Sequence, residues 1–99
     1  MITKELSIKA VEIWGLDRQT NMVIEEVGEF LQAWNKFKRG KITNRQYIEE
    51  MVDCYIMFSQ MRHLYGDLFE QILKNKIDRI ERKIGKYEQA QKIYERSDT

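Results

Sequence analysis

The sequence predicts an all-α protein, a four-helix antiparallel bundle, on three observations. Its 99 residues contain no proline, where average usage would give roughly five, and are rich in Glu, Lys, Gln, Ile and Met. Apolar residues recur at helical spacing: Val23, Val27, Phe30, Trp34 and Phe37 step four, three, four and three along one face. Gly15, Gly40 and Gly66 stand between periodic segments as breaks.

Helix one is expected from Thr3 to Trp14, with Thr3 as N-cap and Gly15 ending it. Helix two should run from near Thr20 to Lys38, closed by Lys36, Lys38 and Arg39 against the macrodipole and by Gly40. Trp34 lies on its seam and reads as core. Helix three should begin at a Thr43 or Asn44 cap and end near Leu64. Its Ile48, Met51, Val52, Cys54, Tyr55, Ile56, Met57 and Phe58 make it apolar almost all round. Helix four should start near Asp67 and carry a heptad-like seam of Phe69, Leu73, Ile77, Ile80, Ile84, Tyr87 and Tyr94, weakened slightly at Gly85. The tail from Arg96 to Thr99 should fray.

A chain of this length fits one domain, taken as 1–99. A helix apolar on every side cannot be covered by three short neighbours, and the helix-four seam overhangs a domain this small. Both facts argue for a homodimer or homotetramer. The longest apolar run, Cys54 to Phe58, is five residues, far short of a bilayer crossing, so no membrane partner is expected. Lys and Arg number 17 against 16 Asp and Glu, net +1, which gives no support to a nucleic-acid partner. One Cys excludes an internal disulfide and one His excludes a His-rich metal site. MITKELSIKA carries no apolar run of the secretory kind, and the expected location is cytoplasmic.

The informative residues are carboxylates. Helix two holds Glu25-Glu26-Val27-Gly28-Glu29 and helix three holds Glu50-Met51-Val52-Asp53. At about 100° per residue, each i, i+3 pair lies roughly 60° apart on adjacent turns. Glu50, in the company of Cys54, Met57 and Met61, should be largely removed from water. Four carboxylates brought together repel and desolvate one another. Neither segment contains a basic residue to neutralise them. A hard divalent cation does so, and Mg²⁺, with Mn²⁺ as the alternative, takes oxygen ligands and keeps water positions for a phosphate. A di-iron bundle wants Glu-x-x-His steps, whereas His63 has Gln60 three residues before it. Cys54 reads as a core residue and His63 as a surface or partly buried structural one.

The order Glu-Glu-x-x-Glu, a short connection, then Glu-x-x-Asp resembles the MazG-like all-α nucleoside triphosphate pyrophosphatases. The strings IEEVGEFLQAWNKFKRGK and YIEEMVDCYIMFSQM are similar to small bacterial and phage members, over roughly Trp14 to Ile84. The resemblance implies an oligomeric helical bundle and Mg²⁺-dependent hydrolysis of a nucleoside triphosphate to monophosphate and pyrophosphate. By motif position it implies Glu26, Glu29, Glu50 and Asp53 as metal ligands and Glu25 as the group that holds or activates water. It also implies that Lys76 and Arg79 on helix four meet the triphosphate, with Lys36, Arg39 and Lys41 as further cations. Gln19 stands where small members often carry a Gln and is the first candidate for the base, beside Trp14 and Trp34. The chemistry is self-consistent: metal-positioned water attacks the α-phosphorus, a carboxylate takes the proton, and neither a nucleophilic Ser or Cys nor a Gly-rich phosphate loop is needed. The rival reading is a non-catalytic oligomerisation or regulatory module of the same fold.

Overall fold

A computed structural model describes residues 2–97, which form four helices: α1 (Lys4–Trp14), α2 (Leu16–Lys38), α3 (Asn44–Tyr65) and α4 (Asp67–Ser97). The protein is all-α, with no strand among the described residues. No helix is long and apolar enough to cross a membrane. The chain divides into two compact units, one ending at Tyr65 and the other beginning at Gly66.

Local chemistry explains the helix boundaries from the start of α1 to the start of α3. The Thr3 hydroxyl accepts from Leu6 N at 3.1 Å and so satisfies one of the first-turn N–H groups of α1. Gly15, at φ 84°, is the whole break between α1 and α2. Helix α2 therefore starts at Leu16, four residues before the expected Thr20. Thr20 does not cap; its hydroxyl donates to the Leu16 carbonyl at 2.9 Å, the bond such a side chain makes inside a helix. At the other end, Gly40 (φ 69°) donates to Phe37 and Lys41 donates to Lys36 at 2.8 Å, the paired bonds of a Schellman ending. Helix α3 opens on a reciprocal cap. Gln46 N donates to the Thr43 hydroxyl (3.1 Å), and Thr43 N donates back to Gln46 Oε1 (2.9 Å).

Helices α2 and α3 make the main contact, and α1 packs on both. The α2–α3 pairing is antiparallel, since partners step in opposite directions: Gln19 meets Gln60, Glu26 meets Cys54, and Phe30 stacks on Tyr47. The core is small, Val23, Met57 and Met61 with Met22, Val27 and Leu64 against them. Much of the rest of the interior is polar. Gln19 and Gln60, each 2% exposed, join through a 2.8 Å bond from Gln60 Nε2 to Gln19 Oε1. Ser7, fully buried, donates to the Thr3 carbonyl at 3.0 Å. The single His is partly buried and structural: its Nε2 donates to the Ile2 carbonyl at 2.8 Å.

Trp34 is not core. It is 42% exposed, within a ring cluster with Phe37 and Tyr47, and Lys38 Nζ lies 5.1 Å over its ring. Tyr47 of α3 sits between Phe30 and Phe37, stacked on both, and Trp34 lies tilted at the edge of that cluster. On α3, Met51, Val52, Tyr55, Ile56 and Phe58 are exposed, whereas Cys54 and Met57 are buried.

The second unit is α4, a single helix of 31 residues. None of its residues is buried, and Ile77, Ile80, Ile84, Tyr87 and Tyr94 of its seam are all exposed. Arg96 and Ser97, expected to fray, belong to the helix, where the Ser97 hydroxyl donates to the Tyr94 carbonyl at 2.8 Å. Asp98 and Thr99 lie outside the described residues.

The Gln19–Gln60 pair supplies a direct test of this packing. Gln60→Leu alone strands the buried Gln19 amide and should cost about 1–3 kcal/mol in urea unfolding. Replacing both residues by Leu should recover most of that loss, because two apolar neighbours leave no polar group unpaired.

Candidate metal centre

Three of the four expected acids converge. Carboxylate oxygens of Glu26, Glu29 and Glu50 lie within 4.8 Å of one another. Glu26 and Glu29 come from adjacent turns of α2, and Glu50 comes from the facing turn of α3. The antiparallel hairpin brings them together, because the same register sets Cys54 Sγ against the Glu26 carbonyl at 3.2 Å. Glu26 and Glu50 are half-buried and Glu29 is exposed. Glu50 is thus less withdrawn than its neighbours suggested, although one of its oxygens is fully shielded. Glu26 Oε2 and Glu50 Oε2 are both buried with no hydrogen-bond partner.

Asp53 is exposed on α3 and lies outside the trio. It remains close enough for its charge to act on Glu26. Glu25 is exposed beside Glu26. Burial, and then the charges of Glu29, Asp53, Glu50 and Glu25, hold the Glu26 carboxyl above its ordinary value. Burial and the Glu26 carboxylate push the Cys54 thiol up as well, which keeps it an unreactive, buried side chain.

The trio suits a small hard cation. Ions held at about 2.1 Å by each ligand space neighbouring oxygens roughly 3–4 Å apart, a little closer than the 4.8 Å limit within which these three lie. Two shielded oxygens without donors are what such an ion would satisfy. The donor set is all oxygen, the chemistry of Mg²⁺ or Mn²⁺ rather than of a softer metal.

The expected substrate contacts fall on several elements. Lys36 lines a cavity of about 360 Å³ between α2 and α3, together with Glu29 and Glu50. Gln19 is buried and its amide oxygen is occupied by Gln60, while its Nε2 donates to Met22 Sδ at 3.7 Å. Trp14 is exposed at the end of α1. Lys76 and Arg79 are exposed on α4, in the second unit. Reading the sequence for charge passed over Gln32 and Gln46, which share the cavity wall with Lys36. The Thr43-x-x-Gln46 capping pattern was the available signal for Gln46. No protein-family model matches the chain, and neither a curated protein nor a solved structure matches it significantly.

The raised Glu26 carboxyl has a pH consequence. The folded state binds this proton more tightly than the unfolded chain, whose carboxyl titrates at its ordinary 4.5. This group therefore favours folding below 4.5 and progressively loses that contribution as pH rises through its higher folded value. In chelator, Glu26→Gln should melt above wild type at neutral pH, and the advantage should shrink as pH falls toward 4.5. Paired thermal melts across that range check it.

Proposed function

We propose that the protein is a Mg²⁺-dependent nucleoside triphosphate pyrophosphohydrolase of the MazG-like all-α type, working as a homo-oligomeric helical bundle. The observation that carries this reading is the convergence of Glu26, Glu29 and Glu50 with two buried, donorless oxygens. Carboxylates gathered at such cost serve a purpose that scattered surface acids do not, and the order of the two acidic motifs is that of the enzymes the sequence resembles.

In this reading Glu26, Glu29 and Glu50 hold the ion, and Asp53 reaches in from the exposed flank. Bound there, Mg²⁺ would shield phosphate charge from the acids and lower the pKa of water. Glu25, exposed next to Glu26, takes the proton from the attacking water at its carboxylate. The water oxygen bonds to the α-phosphorus as the bond to the β-phosphate bridge breaks, and pyrophosphate departs. Lys76 and Arg79 are assigned to the triphosphate by the resemblance alone. The exposed apolar residues of α3 and the uncovered α4 seam are the surfaces a second copy would bury.

Pyrophosphate released from a panel of ordinary and modified nucleoside triphosphates, with and without Mg²⁺, tests the activity. Release from at least one, abolished by chelator, is the expected result. Glu50→Gln should lower turnover by orders of magnitude while leaving the melting temperature in chelator equal or higher, since one repelling charge is gone. Mg²⁺ should then stabilise the variant less than wild type. A structural Glu50 would give lower stability and an unaltered response to the ion. Light scattering at micromolar concentration should show a dimer or tetramer; a helical monomer would remove the oligomer from the reading.

A further inference from the structure

We propose that α4 pairs with the α4 of a second copy of this chain as a parallel, in-register, two-stranded coiled coil from Leu73 to Tyr94. The inference rests on the homo-oligomeric part of the reading above and is independent of its chemistry. Helix α4 is 31 residues long, and none of its residues is buried. A helix in a protein owes most of its stability to the packing of an apolar face, and this face is uncovered. Its seam steps four, three, four, three, four and three residues, the heptad of a coiled coil. Ile77, Ile84 and Gln91 take the a positions, and Leu73, Ile80, Tyr87 and Tyr94 take the d positions. Of the apolar ones all but the half-buried Leu73 are exposed, from 44% at Ile77 to 71% at Tyr87.

The charges beside the seam identify the occupant and its direction. In the same heptad Lys76 and Lys83 fall at g, and Glu81 and Glu88 fall at e. In a parallel pair each g residue faces the e residue five positions further along the other helix. Lys76 then meets Glu81 of the second copy, Lys83 meets Glu88 of the second copy, and the two-fold axis repeats both pairs. An antiparallel pair sets g against g and e against e, which would oppose lysine to lysine and glutamate to glutamate. The pattern therefore complements itself, and in one direction only. Lys76, Glu81 and Lys83 have no opposite charge three or four residues away, the spacing at which a helix pairs its own charges. A second copy supplies what the helix lacks. Ile77 and Ile84 at a with Leu73 at d suit two strands, Ile80 at d being the exception. Gln91 at a fixes the register, because a polar a residue finds a polar partner opposite its own copy. Gly85 falls at b, away from the seam.

Cysteine crosslinking of the full chain tests the direction. Tyr94→Cys should form a disulfide dimer under mild oxidation, because the two d residues at 94 face each other in a parallel pair. In an antiparallel pair over the same segment they lie about 30 Å apart, far beyond a disulfide's span. Gln89→Cys, at the outward f position, should stay uncrosslinked, as should wild type, whose Cys54 is buried. Analytical ultracentrifugation tests the charges. Glu81→Lys combined with Glu88→Lys should weaken self-association about tenfold or more, and so should Lys76→Glu combined with Lys83→Glu. An equimolar mixture of the two double variants should associate as wild type does, which misfolded variants would not. A helical wild-type monomer at micromolar concentration overturns the oligomer and the coil together, and a trimer overturns the two-stranded pairing. An oligomer that Tyr94→Cys fails to crosslink, or charge variants that associate as wild type does, overturns the coil and leaves the oligomer standing. Pyrophosphate release bears on neither, and its absence overturns the enzymatic reading alone.

Discussion

Repulsion among carboxylates is the constraint around which the α2–α3 hairpin is arranged. Glu26, Glu29 and Glu50 are held with oxygens inside 4.8 Å, and Glu26 and Glu50 each have one oxygen shut away from water and from any donor. Left to themselves, like charges this close part or take up protons. Here the backbone register holds them. The Gln19–Gln60 bond lies along the hairpin on one side of the acids, and the Phe30–Tyr47 stack lies on the other. A one-turn slide of α3 along α2 would break both. The glutamine pair thus has a locating role that an apolar pair of equal volume would fill less well, since apolar contacts tolerate sliding and a buried amide pair does not.

The parts of this arrangement legible in the sequence were those governed by local rules. Thr3 and Thr43 cap because a hydroxyl or amide three residues away can reach a free N–H, and that geometry is written in the spacing. The Glu26, Glu29 and Glu50 convergence follows from two i, i+3 pairs on helices joined by a short turn. What escaped was set by distant partners or by competition between neighbours. Thr20 looked like a cap, but a lone glycine at 15 sufficed to restart the helix and turned its hydroxyl back to Leu16. Gln19 looked available to a ligand, yet its partner lies 41 positions away on α3, beyond any local signal. Trp34 has the spacing of a core residue, yet it lies at the edge of the ring cluster with Phe37 and Tyr47 and stays exposed. Asp53 shares Glu50's spacing yet stands outside the trio, because helical periodicity places a side chain on a face without fixing how far it reaches.

The energetics of the first unit tie its site to what surrounds it. A core of Val23, Met57 and Met61 is modest compensation for half-burying Glu50 and Glu26, the latter with its protonation already favoured. Two changes would relieve the imbalance, and they act on different terms. A divalent ion removes the repulsion directly and binds only the folded arrangement, so its binding energy becomes folding energy. Burial of the exposed α3 face, with Met51, Val52, Tyr55, Ile56 and Phe58, would instead add apolar stabilisation and leave the charges as they are. These terms have separate signatures. The first depends on pH and on chelator, because it runs through carboxylates. The second depends on protein concentration, because it runs through association. A chain that used both would hold its acids in place before the ion arrived, with the site's shape maintained by packing and its charge balanced by the metal. That division would let a metal-binding cluster keep a fixed geometry when empty.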